Sequence, residues 1–129
     1  MTQHQAKYRS DYHAPAYSIE SVDLQFHLHD SATRVVNTMQ IRRLADAPLE
    51  LNGEHLLLVA VWLNGRLLSS CDYQLSDRLL CLHELPKDFE LRIETLINPT
   101  ANTALEGLYK SAGAYCTQCE AEGFRRISY

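Results

Sequence analysis

The sequence predicts an all-β fold, an antiparallel β-sandwich or saddle-shaped sheet, and three observations carry that reading. From Tyr17 to Asn98 apolar residues recur at every second position. The apolar runs are short and regularly interrupted by turn signals. No stretch of helical period lasts longer than a turn or two. With 129 residues, 46% of them hydrophobic and 22% charged, the chain suits one domain with an adequate core, and its composition argues against a disordered chain. Residues 1–16 read as an N-terminal arm and residues 17–129 as a single β domain.

Each element follows in order. Val22, Leu24, Phe26 and Leu28 alternate with Asp23, Gln25 and His27, the pattern of a half-buried strand with one polar face. His29-Asp30-Ser31 breaks it. Val35, Met39 and Ile41 then make Ala32 to Leu44 a long antiparallel partner for the first strand. Asn52-Gly53 and Asn64-Gly65 are hairpin signals, since both residues tolerate positive φ, and they bracket the apolar run Leu56 to Leu63. Arg66 to Ser69, Asp72 to Leu75 and Arg78 to His83 read as short strands, with a turn at Ser76-Asp77. Phe89, Leu91, Ile93 and Ile97 mark a last long strand. Beyond Asn98, Pro99, Gly107, Gly113 and Gly123 punctuate a tail dense in polar residues, a composition expected of a segment that lines something. Glu122 to Ile127 reads as the start of a short helix, and the whole as a chain cut from something longer.

Several function classes fall away. The net charge is −4 and the only basic doublets are Arg42-Arg43 and Arg125-Arg126, which is no footprint for nucleic acid. The longest apolar run has eight residues, whereas a membrane-spanning helix needs about twenty. The polar N-terminus lacks a secretory signal, so the four cysteines are expected to be reduced thiols in a cytoplasmic protein.

Four constellations have possible chemistry. His83-Glu84 opens like the helical zinc motif H-E-x-x-H, but Pro86 forbids the helix and Lys87 stands where the second imidazole belongs. His27 and His29 share the polar face of the first strand, with no carboxylate or thiol placed beside them. Cys116 and Cys119 form a C-x-x-C, yet Cys71 and Cys81 do not supply a second pair, and an extended chain would point Cys116 and Cys119 to opposite faces. The same parity over Ala114 to Ala121 puts Cys116, Gln118 and Glu120 on one face. An amide beside a carboxylate suits a ligand bearing an ammonium group, although a solvated strand face has the same pattern.

The run Asn102 to Ser111 (NTALEGLYKS), followed by Tyr115 to Arg126 (YCTQCEAEGFRR), resembles the end of the N-terminal domain of bacterial aminopeptidase N, the alanyl aminopeptidase of the zinc-dependent gluzincin class. Tyr8 to Tyr12 and Ala14 to Tyr17 are similar to that family's start, so the resemblance spans nearly the whole chain. It implies a β-sheet saddle leaning on a catalytic domain of the same polypeptide. It also implies that Gln118 and Glu120 reach the active site and that Glu120 helps bind the α-amino group of a peptide substrate. The family's zinc ligands, general base and G-A-M-E-N segment are absent from these 129 residues. Neither a catalytic residue nor a metal ligand is therefore expected in the chain, and without zinc-activated water it should not hydrolyse peptides alone. Self-association through an exposed apolar face is a further expectation, because a domain built to lean on a partner keeps that face when separated from it. The alternative is a free-standing β-sandwich interaction module without enzymatic role.

Overall fold

A computed structural model describes residues 14–120 and 122–129. Most of the sequence-predicted arm, including Tyr8 to Tyr12, lies outside the described residues. Ten strands form three antiparallel sheets: β1 Tyr17–His27, β2 Thr33–Arg43, β3 Leu49–Asn52, β4 Leu57–Leu63, β5 Arg66–Leu67, β6 Tyr73–Leu75, β7 Leu79–Leu82, β8 Asp88–Ile97, β9 Gly107–Ser111 and β10 Ala114–Gln118. The five-stranded sheet runs β1-β2-β8-β4-β5, the three-stranded sheet β3-β7-β6, and β9-β10 is a separate hairpin. The all-β antiparallel class read from the alternation is the class observed.

The core follows from that alternation. Met39 and Ile41 of β2, Val61 of β4 and Phe89, Leu91 and Ile93 of β8 are buried against Leu49 and Leu51 of β3 and Leu80 and Leu82 of β7. Successive strand residues point to opposite faces, so the same strands put polar residues outward. There Arg34 pairs with Glu94 at 2.9 Å and Arg42 with Asp88 at 3.1 Å, while Gln40 Nε2 donates to Glu90 at 2.9 Å. Such exposed pairs each contribute about 0–1 kcal/mol, so burial between the two sheets dominates.

Three expectations are corrected. First, β1 is not half-buried: Ile19, Val22 and Phe26 are 48%, 52% and 41% exposed. They pair with the buried Ile41, Met39 and Val35 and so share their face. The three-stranded sheet contributes its core side chains opposite β2, β8 and β4, and of β1 only Tyr17 packs on that core. Second, His29 leaves the strand that ends at His27. Its Nδ1 accepts the N–H groups of Ser31 and Ala32, each at 3.2 Å, so it braces the β1–β2 turn rather than pairing with His27. Third, only one of the two Asn-Gly signals is a hairpin. Asn64 and Gly65, at φ 50° and 80°, join β4 to β5 in a two-residue turn. Asn52-Gly53 instead ends β3 where the chain passes to the other sheet. Gly53 is glycine because a Cβ there would overlap the Tyr129 ring, which closes the core.

Candidate functional site

The tail folds as a hairpin and a return segment. β9 pairs with β10 from Gly107↔Gln118 to Ser111↔Ala114. This two-stranded unit shares no ladder with the larger sheets among the described residues, so side chains fix its orientation together with the Lys110 N–H, which donates to the Pro99 carbonyl at 3.2 Å. At one end Leu108, Ile127 and the partly buried Cys119 and Leu24 pack on Val35 and Ile97. At the other, a single carboxylate oxygen of Asp30 accepts from Lys110 Nζ and Tyr115 Oη, both at 2.8 Å. The Lys110 hydrogen bond, then that of Tyr115, holds the Asp30 carboxyl below its ordinary range. Thr100 anchors the same turn through its N–H and hydroxyl, both donating to the Asp30 carbonyl.

Strand β10 stops at Gln118, which overturns the parity argument as a route to Glu120. Cys119 and Glu120 lie outside the strand, where the Gly123 N–H donates to the Cys119 carbonyl at 2.9 Å. Gly123 permits this turn: any Cβ there would strike the Gln118 carbonyl oxygen. Gln118 and Glu120 nevertheless remain together, because Gln118 Nε2 donates to the Glu120 carbonyl at 3.4 Å. The expected helix is one 3-10 turn, Gly123–Arg126. After it the chain enters the core. Thr95 Oγ1 donates to the Ile127 carbonyl at 3.3 Å and the buried Asn37 Nδ2 to the Tyr129 carbonyl at 3.0 Å.

Charge is distributed unevenly over this segment. Arg126 Nη2 lies 3.2 Å from Glu54, and its buried Nε faces Glu106 at 3.3 Å, an ion-pair distance without hydrogen-bond alignment. Arg125 pairs with Glu122 at 3.5 Å. The exposed Glu120 carboxylate has no ion-pair partner among the described residues. A cleft of about 390 Å³ with a mixed polar and apolar lining beside Asn98, Asn102 and Leu108 reaches Arg126, but neither Gln118 nor Glu120 lines it.

All four cysteines are free. Cys119 turns toward the core and Cys116 is held at the strand, its Sγ donating to the Ala114 carbonyl at 3.8 Å. Glu84 sits in a left-handed loop conformation at φ 55°, and among the described residues no group of three His, Cys, Asp or Glu side chains could hold a metal ion. The described residues therefore do not fit a zinc centre. No helix of the described residues is long and apolar enough to cross a membrane. Sequence reasoning missed Asp30 and Arg126 as organising residues. Their partners lie 80 and 72 positions away, and no local pattern announces such pairs.

No protein-family profile matches the chain. Aminopeptidase N of Escherichia coli K12 is 50% identical over 132 residues, an alignment that covers all of this chain and 15% of that protein. The solved structure of Legionella pneumophila aminopeptidase A in complex with aspartic acid superposes with a TM-score of 0.85 at 30% identity, over 95% of this chain and 15% of the other. An M1 zinc metallopeptidase of Deinococcus radiodurans, bound to a Tyr-Ser-Ala substrate, shares the fold with a TM-score of 0.67 at 14% identity, over 85% of this chain and 28% of its own. This chain thus spans about 15% of the length of its curated relative. The antiparallel sheets with their hairpin, matched across such different sequences, have the fold of an aminopeptidase N-terminal domain. Within that class the identity over the whole chain is decisive: the chain is homologous to the N-terminal part of aminopeptidase N.

Proposed function

We propose that this chain, residues 17–129 as one domain, works as part of a zinc aminopeptidase that removes N-terminal residues from peptides. It caps the active-site cavity and presents Gln118 and Glu120 to the substrate's α-amino group. One observation carries the reading. Of the three glutamates after Asn98, Glu106 faces Arg126 and Glu122 faces Arg125, whereas no cation neutralises Glu120 among the described residues. An exposed carboxylate kept clear of neighbouring arginines, beside an amide that fixes its turn, is suited to an ammonium ligand.

The zinc named for the M1 relative would be held by a catalytic domain beyond these residues, and supplies Lewis-acid and water-activating chemistry there. This chain's share is positional: it holds the amine and so sets the register of the peptide. The exposed Ile19, Val22 and Phe26 face supports packing against that domain, since an uncovered apolar face beside a finished core suits a partner surface. Four free thiols support a reducing, cytoplasmic setting.

The test is Glu120→Gln in the full-length enzyme. Hydrogen bonds to charged groups are worth about 1.5–3 kcal/mol, so kcat/KM for an alanyl amide should fall roughly 10- to 150-fold. Glu122→Gln, which alters a carboxylate already facing Arg125, should do far less. Equal and mild effects in folded, zinc-loaded variants refute the assignment of Glu120.

A further inference from the structure

We propose that Arg126 is a positioning residue for the amine-binding turn, a role that rests on the reading of Glu120 above. The turn that carries Glu120 has its two ends set by different parts of the fold. Its first end, Gln118, is paired to Gly107 of β9. Its second end, Gly123, opens the 3-10 turn that Arg126 closes. The Arg126 side chain bridges these ends. Nη2 reaches Glu54 in the β3–β4 connection at 3.2 Å, and Nε reaches Glu106, the residue immediately before β9, at 3.3 Å. The guanidinium is mostly buried, at 17% exposure, which screens it less than a surface pair.

The backbone reinforces the same geometry. Glu54 N–H donates to the Arg125 carbonyl at 2.8 Å, so residue 54 grips the turn through main chain and side chain. A Cβ at Gly107 would lie 2.8 Å from the Arg126 Cβ, so β9 is packed directly on the clamp. Glu120 thus hangs from a four-point block of Gly107, Gln118, Gly123 and Arg126. One planar fork serves two carboxylates on separate elements. A lysine, with a single charged centre, keeps the charge but cannot reproduce both directions. The guanidinium is thereby paired with Glu54 and Glu106, and it makes no ion pair with Glu120.

The experiment uses the full-length enzyme and compares Arg126→Lys, Glu106→Gln, Glu120→Gln and the pairwise combinations with Glu120→Gln. Zinc content and unfolding midpoint are recorded for each. Glu106 is half-exposed, so Glu106→Gln keeps the test alive should the arginine variant fail to fold. Loss of positioning is expected to lower kcat/KM for an alanyl amide about 10-fold in Arg126→Lys and less in Glu106→Gln, because small misplacements of binding groups carry costs of up to about 100-fold. Neither change should add anything once Glu120 is glutamine, since a misplaced group that no longer binds has nothing left to lose. A damaged fold would instead multiply with Glu120→Gln and lower the zinc content. If Glu120→Gln is costly while both clamp variants keep wild-type kcat/KM, or multiply in full with it, the clamp is refuted and the Glu120 reading stands. If Glu120→Gln itself has no effect, both fall.

Discussion

Gly53→Ala is a sharp test of the packing because two physical effects at this position have opposite signs. Residue 53 does not occupy the left-handed region, so alanine is conformationally admissible there. Considered alone, the change would stabilise the chain by about 0.4–1 kcal/mol, by restricting the unfolded state. The structure predicts the reverse. The new Cβ falls inside contact distance of Cδ1, Cε1 and Cζ of Tyr129, whose ring is buried in the main core. Burial also pushes the Tyr129 hydroxyl pKa up, so a neutral ring occupies that space. If the ring shifts and strains its neighbours, the overpacking costs about 1–3 kcal/mol. If it is expelled, the loss approaches the roughly 3–5 kcal/mol of deleting a buried aromatic. Against the unfolded-state gain, the net expectation is a destabilisation of about 0–2.5 kcal/mol if the ring shifts and about 2–4.5 kcal/mol if it is expelled. Urea unfolding of the wild type, Gly53→Ala, Tyr129→Leu and the double variant measures it. With the ring gone, the alanine should become neutral or stabilising. A stabilising Gly53→Ala in the wild type, or the same cost in both backgrounds, refutes the close approach.

Other outcomes follow from the same structure. Asp30 lies below its ordinary 3.8 because of Lys110 and Tyr115, so its contribution is complete above the unfolded-state pKa and is lost as pH falls through the folded one. Nuclear magnetic resonance titration of the β9 and β10 amides should show a midpoint below 3.8 that Asp30→Asn removes; a midpoint at or above 3.8 contradicts the pairing. The chain alone should not cleave an alanyl chromogenic amide, and turnover above buffer would overturn its assignment as one part of a larger catalyst. Sedimentation velocity of the isolated chain should reveal concentration-dependent association that Val22→Lys with Phe26→Lys suppresses. A monomer at all concentrations counts against a partner-seeking face.

The strands were legible because the period-two signal is repeated and physical. Val35, Met39 and Ile41 alternate because each second residue meets the core, and β2 lies within one residue of the predicted span at either end. What the alternation in β1 could not reveal is whether a second layer lies above it. Val22 and Phe26 have the same pattern as buried residues and remain exposed, because coverage depends on the width of a sheet built some thirty to sixty residues later. Asn52-Gly53 misled for a related reason: the dipeptide signals local turn chemistry, and here the demand came from Tyr129. At the site, Gln118 and Glu120 were found by residue type and resemblance. Their parity rationale failed at the end of β10, where Gly123 turns the chain.

The burial of Ile127 to Tyr129 bears on how the domain is made. Asn37 waits for a hydrogen-bond acceptor 92 residues further on, and Gly53 faces a ring near the same point. The last strand of the two large sheets ends at Ile97, so at the roughly 5–20 residues per second of protein synthesis the stretch from there to Tyr129 corresponds to about 2–6 seconds in which those sheets lack the segment that closes their core. Such a nascent chain exposes apolar strand faces to solvent and to chaperones until residues 127–129 clear the ribosome, so final folding is timed by translation. Slow codons placed after residue 129 plus an exit tunnel's length would give the closing segment time to dock; the same pause placed earlier would prolong the vulnerable interval.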